Sequence, residues 1–352
     1  MFRTDICIAG AGIIGLSLAF ELHAHGLDVI VLESGSPMQQ ASTAAAGMLA
    51  AEDPHNPAEL RALSNLSISL YPSYLRRLEE FGGVPVPFQT TQTLQSFETD
   101  PEFKDAALPS DLFTAAGFRM LQEHSLDPRQ LASSLLAAVR AISIRLLSNS
   151  PVNSATTTGN LITITTPTHT VETTHFVDCT GAWVGTSTSD PAFEVIPIKG
   201  QMLVIALPKS LSLDLTVRTK DIYIVPRTTG PNAGRAIIGA TVEDVGFDKT
   251  VHPLQIVALH HRAARLLPQL IDADVVESWS GLRPATSDRL PILGAHPAKP
   301  NHWVATGHYR NGILLAPATA HVMTQLILGR SPSISLEAFN PSRSSLRRAR
   351  EL

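Results

Sequence analysis

The amino-acid sequence predicts an α/β domain with a parallel sheet, interleaved with an α+β domain built on an antiparallel sheet. Three observations lead to this fold class. A short apolar run at residues 6–9 is followed by the pattern G-x-G-x-x-G at 10–15 and by an apolar helical pattern. A second apolar run, 29–32, ends in an acidic residue. From residue 197 onward, alternating apolar runs separated by turns indicate antiparallel strands.

The glycine pattern predicts a Rossmann-like dinucleotide site. Gly10 allows a tight turn, Gly12 lets the backbone approach a pyrophosphate, and Gly15 lets helix and strand pack closely. The following helix offers free N–H groups and a positive dipole end to the anion. Glu33 is suited to accept from both ribose hydroxyls and would repel a 2′-phosphate, which disfavours NADP. The pattern alone does not distinguish NAD from FAD.

Composition excludes several classes of protein. The chain has 352 residues, 44% hydrophobic and 16% charged, with a formal net charge of −4, so neither nucleic acid nor an anionic membrane is expected as a partner. Cys7 and Cys179 lie in apolar runs, which predicts buried thiols and no disulfide framework. No metal site is expected. The sequence also lacks a signal-peptide pattern and a long apolar run, so we expect a cytoplasmic protein.

Further segments support the interleaved arrangement. The small-residue run 41–50 is either an Ala-rich packed helix or a backbone segment that lies against a flat ring. Asp127 before Pro128 predicts a helix start. Residues 152–174 read as antiparallel strands, and the apolar run 176–179 as a parallel strand returning to the first sheet.

The last informative stretch repeats the logic of the first. A strand at 303–306 leads through a glycine-bracketed loop into a helix over 313–328, in which Pro317 is expected in the first turn. The predicted first domain comprises residues 1–85, 125–196 and 276–340, and the second comprises 86–124 and 197–275. Residues 341–352, with Arg343, Arg347, Arg348 and Arg350, are expected to form a solvated tail.

Five segments together resemble the D-amino-acid oxidase family of flavoproteins, and within it the glycine oxidases of thiamine biosynthesis. They are GAGIIG at 10–15, ASTAAAGML at 41–49, YIVPR at 223–227, GLRP at 281–284 and GHYRNGILLAPAT at 307–319. The resemblance runs over nearly the whole chain, and the last segment combined with AAAGML is far more specific than a glycine motif alone.

The resemblance implies FAD, bound without a covalent link, because neither cysteine stands where related sarcosine oxidases attach their flavin. It places the cofactor contacts at Gly10, Gly12, Ile13, Ile14, Gly15, Glu33, Ser34, Ala41, Ser42, Ala46, Gly47, Met48, Val152, His308, Tyr309, Arg310, Asn311, Gly312, Ile313 and Leu314. Of these, residues 46–48 would lie near the isoalloxazine, 152 at the adenine and 308–314 at the pyrimidine edge of the flavin.

The resemblance also implies three residues at the substrate. A guanidinium is the planar group that grips a carboxylate with two hydrogen bonds, so Arg283 is the expected carboxylate anchor. The hydroxyl of Tyr223 is the expected second donor, and Arg310 would orient the substrate or close the site. His308 is a candidate base, but its loop is expected to contribute backbone contacts instead.

The implied activity is oxidative deamination of glycine and small amines such as sarcosine or D-alanine. Hydride transfer to flavin N5 would give an imine and then glyoxylate and ammonia, and dioxygen would be reduced to hydrogen peroxide. The imine would supply thiamine thiazole synthesis. The alternative is a D-amino-acid or N-methyl-amino-acid dehydrogenase that uses another electron acceptor. A flavin module for tRNA modification and a non-catalytic dinucleotide-binding protein are less consistent with the sequence. Family members suggest a homo-oligomer.

Overall fold

The computed structural model describes residues 1–97, 117–185 and 193–346. Its strands, in chain order, are β1 (Phe2–Ala9), β2 (Val29–Leu32), β3 (Phe88–Thr90), β4 (Thr93–Ser96), β5 (Phe118–Leu121), β6 (Ser125–Leu126), β7 (Arg145–Leu147), β8 (Ser154–Thr158), β9 (Leu161–Thr165), β10 (Thr170–Asp178), β11 (Ile196–Ala206), β12 (Thr216–Arg218), β13 (Tyr223–Arg227), β14 (Arg235–Gly239), β15 (Glu243–Asp244), β16 (Val275–Ala285), β17 (Ile292–Ala295) and β18 (His302–Thr306).

The α-helices follow the same numbering. They are α1 (Ile13–Ala24), α2 (Ala41–Ala44), α3 (Arg61–Gly82), α4 (Pro128–Ala141), α5 (Pro253–Leu266) and α6 (Gly312–Ile327). None of the helices in the described part of the chain is long and apolar enough to cross a membrane.

The first sheet has the order β17-β18-β10-β1-β2-β7, and the β8–β9 hairpin extends it beside β10. Strand β10 runs parallel to both β1 and β18, and β2 runs parallel to β1 and β7. The predicted parallel return of residues 176–179 is therefore confirmed. Strands covered on both faces read as continuous apolar runs, which explains why Ile6 to Ala9 are all buried.

The second sheet has the order β15-β11-β14-β13-β12-β4-β5, and β16 also pairs with β11. Apart from the parallel β12–β4 pair, its strands run antiparallel. The last segment of the predicted first domain begins at residue 276, but β16 pairs along its length with β11 and so belongs to the antiparallel sheet. The domain boundaries stay predictions. The predicted mixture of a parallel and an antiparallel sheet is confirmed.

Helix starts and packing follow from local chemistry. Asp127 caps α4 as predicted, since its side chain accepts from the backbone N–H of Arg129 at 2.9 Å and Pro128 occupies the first helical position. One core cluster joins the first sheet to α1, α3, α4 and α6, and a second lies between the antiparallel sheet and α5. The two cores hold the sheets that border the site.

Pro317 does not lie in the first turn of α6, as predicted, but inside the helix. A proline in a helix leaves the carbonyl four residues earlier without its usual donor. Here that carbonyl belongs to Ile313, and it accepts from the hydroxyl of Tyr71 on α3. Ser67 similarly donates to the carbonyl of Leu314. The neighbouring helix thus supplies the hydrogen bond that the proline removes.

The beginning of the tail is ordered against the body of the protein, contrary to the predicted solvated end. Arg343 lies 2.7 Å from Asp288 and also donates to the carbonyl oxygens of Leu290 and Pro291. Arg347, Arg348 and Arg350 lie outside the described residues. Despite partial burial, hydrogen bonds from Arg343 and Ser345 lower the pKa of Asp288 to about 2.

We expect Arg343→Met to lower the free energy of unfolding at pH 7 by about 1–3 kcal/mol, because a partly buried carboxylate loses its charged donor. The folded-state pKa of Asp288 lies below its unfolded value, so the pair stabilises fully above about pH 4 and progressively less as the pH falls toward 2. Urea denaturation at pH 5, 7 and 8 should give the same difference, and measurements below pH 4 a smaller one. Exposed Arg330→Met is the control, and equal effects of both substitutions would contradict the prediction.

Candidate active site

A cavity of about 630 Å³ lies between the two sheets. One wall is formed where the parallel strands β1, β2, β10 and β18 end, with Gly10, Glu33, Thr180 and Thr306 along it. The opposite wall is the face of the antiparallel sheet. The carboxyl edge of a parallel sheet is where open α/β folds bind ligands, so the site lies where the topology predicts it.

The glycine turn allows no side chain at its contact points. Gly10 has φ +98°, and a Cβ there would lie 2.5 Å from the carbonyl oxygen of Cys179, the residue that follows β10. A Cβ at Gly15 would overlap the carbonyl oxygen of Gly10. At Gly12 the nearest atom to such a Cβ is the Ser42 hydroxyl, at 3.3 Å, so this glycine borders the cavity rather than the core.

Glu33 and Ser42 line the same end of the cavity. One carboxylate oxygen of Glu33 accepts from the N–H of Ala11 at 2.8 Å, and the other accepts from the N–H of Gly35 at 3.0 Å. These bonds fix the carboxylate beside the glycine turn and leave lone pairs for hydroxyl donors. Ser42 accepts from the N–H of Ile13 at 2.9 Å, which places its hydroxyl at the N-terminus of α1.

The small-residue run forms only one helical turn, α2, and is extended beyond Ala44. Of the two structures left open by the sequence, a long Ala-rich helix is therefore wrong. Trp279 donates to the carbonyl of Ala44 at 3.0 Å, and buried Arg227 donates to that of Ala46 at 2.8 Å. The antiparallel sheet thus fixes this backbone along the cavity wall.

Arg283 and Tyr223 project from the antiparallel sheet into the other end of the cavity. The guanidinium of Arg283 donates to the carbonyl of Thr241 at 3.1 Å and lies over the backbone of Gly200. Its positive charge also acts on the phenol of Tyr223. Tyr223 lies opposite Gly239 in the sheet register, and a Cβ on that glycine would overlap the phenol oxygen. A glycine at 239 therefore makes room for the tyrosine.

At the Arg283 end of the cavity, the side chains are protonated in a way that suits hydrogen-bond donation to an anion. Burial raises the pKa of Tyr223, although the nearby guanidinium groups of Arg283 and Arg310 oppose the shift. The phenol therefore remains a hydrogen-bond donor at neutral pH. Burial also lowers the pKa of His308 to about 3, and its Nε2 lies 3.0 Å from the Thr319 hydroxyl. This imidazole is neutral and hydrogen-bonded to α6.

The loop before α6 closes the cavity between the two ends. Tyr309 has a positive φ of 47° and its N–H donates to the carbonyl of Pro284 at 2.8 Å, which ties the loop to β16. Arg310 reaches Asp53, with 2.9 Å between Nη2 and Oδ2. The first N–H groups of a helix have no partner inside it, so the start of α6 offers donors at this wall.

Most of the predicted site residues line this one cavity. They are Gly10, Gly12, Ile13, Ile14, Glu33, Ser34, Ala41, Ser42, Ala46, Gly47, Met48, Val152, Tyr223, Arg283, His308, Tyr309, Arg310, Asn311, Gly312 and Ile313. Two predicted contacts do not line it. Gly15 packs against the Gly10 carbonyl, and Leu314 lies in the first core. Gly15 lies on α1 and Leu314 on α6, and both are packed inside the protein instead of at the cavity.

Comparison with known proteins identifies the family. A family model described as DAO, FAD dependent oxidoreductase, matches residues 5–326. The chain belongs to this family. The resemblance predicted from the five sequence segments is confirmed, and with it FAD as the cofactor and oxidoreductase as the class of enzyme.

Individual relatives in this FAD-dependent oxidoreductase family cover nearly all of the chain. It is 31% identical over 384 residues to a glycine oxidase of Geobacillus kaustophilus, covering 97% of both chains. It is 35% identical to the bifunctional protein ThiO/ThiG of a Nostoc strain. That match covers 97% of this chain but only 55% of the relative's length. The crystal structure of the Geobacillus kaustophilus glycine oxidase superposes with a TM-score of 0.87 at 29% identity, covering 97% and 99% of the two chains.

The residues of the cavity fit an extended FAD. The turn at Gly10 and Gly12 is a cradle that a Cβ would fill, and it leads directly into the N-terminus of α1. Glu33 stands beside it as an acceptor for ribose hydroxyls. A volume of about 630 Å³ lies within the usual range of cofactor sites, about 300–1,000 Å³.

The structure also brings charged residues to the site that the sequence did not indicate. Asp53 and Arg218 line the cavity, and Arg218 pairs with Glu123 at 2.8 Å. Asp53 lies after the small-residue run, where an Asp-Pro pair reads as a turn. Arg218 is the last residue of the short strand β12. Nothing in their local patterns separates them from surface charges.

Proposed function

We propose that the protein oxidises the amine of a small amino acid, with glycine as the foremost substrate and sarcosine and D-alanine as further candidates. The observation that carries the proposal is the pair of Arg283 and Tyr223, which both line the cavity from the sheet opposite the glycine turn. The similarity to glycine oxidases over almost the full chain supports the same substrate class.

In this proposal Arg283 binds the substrate carboxylate. Its guanidinium meets only neutral partners among the contacts described, namely the carbonyls of Lys199 and Thr241 and the phenol of Tyr223. A guanidinium that is ionised but not matched by a carboxylate is suited to bind an anion with two hydrogen bonds. The Tyr223 hydroxyl donates its proton to the same carboxylate.

A carboxylate fixed at this point orients the rest of the substrate toward the cofactor. FAD supplies the two-electron acceptor when it is bound. We assign the backbone of 46–48 and of the loop 307–312 to its ring, and Val152 and Glu33 to its adenosine. Holding the Cα–H and the ring at a fixed distance accounts for much of the rate enhancement without a strong base.

We do not assign the role of catalytic base to His308. Its low pKa would suit a neutral acceptor, but its Nε2 is already engaged by Thr319, and the side chain is 3% exposed. We assign it a packing role under the loop. The N-terminus of α6 is assigned to stabilise negative charge that develops on the ring during reduction.

We expect glycine to bleach the absorbance of the bound flavin when it is added to purified holoprotein without oxygen. Sarcosine and D-alanine should do the same, since each presents one carboxylate and a small amine. Glycolate, which keeps the carboxylate and lacks the amine, is the matched control and should perturb the spectrum without bleaching it. A flavoprotein that none of the three amines reduces would contradict the proposed function.

Admission of air after reduction then separates the two candidate functions. Rapid recovery of the absorbance with release of hydrogen peroxide would support an oxidase, whose imine product would supply thiamine thiazole synthesis. Slow recovery in air combined with fast recovery on adding a quinone or dye would support a dehydrogenase. We also propose a cytoplasmic location and a homo-oligomer, and the outcome of this test does not depend on either.

A further inference from the structure

An ion-pair network borders the substrate end of the cavity and includes Arg310. Asp53 Oδ2 lies 2.9 Å from Arg310 Nη2 and 3.8 Å from Arg218 Nε, and Arg218 Nη2 lies 2.8 Å from Glu123 Oε2. The side chains of Asp53 and Arg218 are each 3% exposed, whereas that of Arg310 is 41% exposed. Among these three side chains, the Arg310 guanidinium is therefore the one most exposed to solvent and ligand.

The carboxylate of Asp53 is fixed by the protein on both oxygens. Oδ2 meets the two guanidinium groups, and Oδ1 accepts from the backbone N–H of His55 at 2.9 Å and lies 3.0 Å from its Nδ1. Burial opposes ionisation, but Arg218, His55 and Arg310 together lower the pKa of Asp53. At neutral pH this carboxylate is ionised and compensates the charge of Arg310.

The two arginines of the pocket therefore differ in available charge. Arg310 is paired with a buried carboxylate, whereas no carboxylate within the described residues forms an ion pair with Arg283. Both guanidinium groups act on the phenol of Tyr223, so both lie near the same point of the cavity. A ligand at that point meets one uncompensated positive charge.

We propose that Asp53 is a specificity-determining residue that restricts the pocket to amino acids with a single carboxylate. This inference rests on the proposed function. A second substrate carboxylate would have to separate Arg310 from Asp53 and would then lie beside the negative charge of Asp53. Selection of this kind acts against the wrong ligand rather than in favour of the right one. Because Arg218 and His55 hold Asp53 in place, the carboxylate cannot turn away to admit it.

The test compares D-alanine with D-aspartate, which differ by one carboxylate. In Asp53→Asn, Arg310 keeps its position but is no longer compensated. We expect the ratio of kcat/KM for D-aspartate to that for D-alanine to rise by about 10-fold or more, mostly through KM. The double variant Asp53→Asn with Arg310→Gln should lose this gain. Glu172→Gln, which removes the charge of an ion pair with exposed Arg3, is the control and should leave the ratio unchanged.

A binding measurement separates this inference from the proposed function. Acetate and malonate are titrated into oxidised holoprotein, and the dissociation constants are read from the flavin spectrum. We expect malonate to bind wild type no more tightly than acetate does. In Asp53→Asn, we expect malonate to bind about 10-fold more tightly than acetate. This result would support the inference even if no amine were oxidised. An unchanged malonate-to-acetate ratio in folded Asp53→Asn would overturn it.

The inference remains testable if Asp53→Asn does not fold. The wild-type comparison needs no variant, and malonate that bound wild type about 10-fold more tightly than acetate would overturn the inference. Arg310→Gln leaves the carboxylate of Asp53 with less compensating charge. Relative to acetate, malonate should therefore bind this variant more weakly than it binds wild type, and relatively tighter malonate binding would also overturn the inference.

Discussion

Arg283→Met is expected to reduce kcat/KM for glycine by about 100- to 1,000-fold. The substitution removes two charge-assisted hydrogen bonds to the substrate carboxylate, each worth about 1.5–3 kcal/mol, and about 1.4 kcal/mol corresponds to a tenfold change in rate. The Tyr223 hydroxyl would remain as a single donor to the substrate carboxylate. Arg310 cannot take the place of Arg283, because it is paired with Asp53. Steady-state kinetics with glycine, together with anaerobic flavin reduction, measure the effect.

Two variants define what the Arg283 result means. Arg283→Lys keeps the charge but loses the planar pair of donors, so it should recover only part of the activity. Arg3→Met removes an exposed guanidinium near the amino end of β1, far from the carboxyl ends of the parallel strands, and should keep activity within about twofold of wild type. Arg283→Met with full flavin content and nearly normal kcat/KM would contradict the proposed role.

The dinucleotide end of the site could be predicted from sequence because its chemistry is local. Gly10, Gly12 and Gly15 fall within six residues, and Glu33 directly follows the very next strand, so spacing alone brings them together. The structure adds the physical reason for two of the glycines, since a Cβ on Gly10 would strike the backbone of Cys179 and a Cβ on Gly15 would strike that of Gly10.

The substrate end depends on sheet register that no local pattern reveals. Arg218 faces Tyr223 across β12 and β13, and Gln95 lies opposite Arg218 on β4, so one row of the sheet carries these side chains. Their spacing along the chain is irregular. Arg283 and Tyr223 were found only because the family resemblance pointed to them, and Asp53 and Arg218 had no such guide.

The errors share a common cause, which is tertiary context overriding a local rule. The sequence of β16 does not indicate which sheet it joins, and pairing with β11 decides this. Pro317 breaks an isolated helix, but Tyr71 on α3 supplies the lost hydrogen bond. Arg343 lies in a run of basic residues typical of a solvated end, yet Asp288 binds it. Each partner is distant in sequence.

Gly15→Ala is expected to abolish or severely weaken FAD binding, so that the protein is isolated with little flavin. The added Cβ would overlap the Gly10 carbonyl oxygen, and Gly10 is held in place because its own N–H donates to the carbonyl of Leu32 at 2.8 Å. The strain therefore moves α1 away from β1 and shifts the donors at its N-terminus. We expect the dissociation constant for FAD to rise by at least about 100-fold, since even 2.8 kcal/mol of lost binding has that effect.

The ratio of absorbance at the flavin band to that of the protein measures this loss, and thermal unfolding with and without added FAD separates binding from folding. Ligand binding to the native state raises its stability, so the upward shift in Tm that excess FAD gives wild type should be absent in Gly15→Ala. Gly35→Ala is the matched control, because a Cβ there meets nothing within 4 Å. Gly15→Ala that retained as much flavin as Gly35→Ala would contradict the prediction. A displaced α1 would then still present its N–H groups to the pyrophosphate, and close packing of α1 on the turn would not be required.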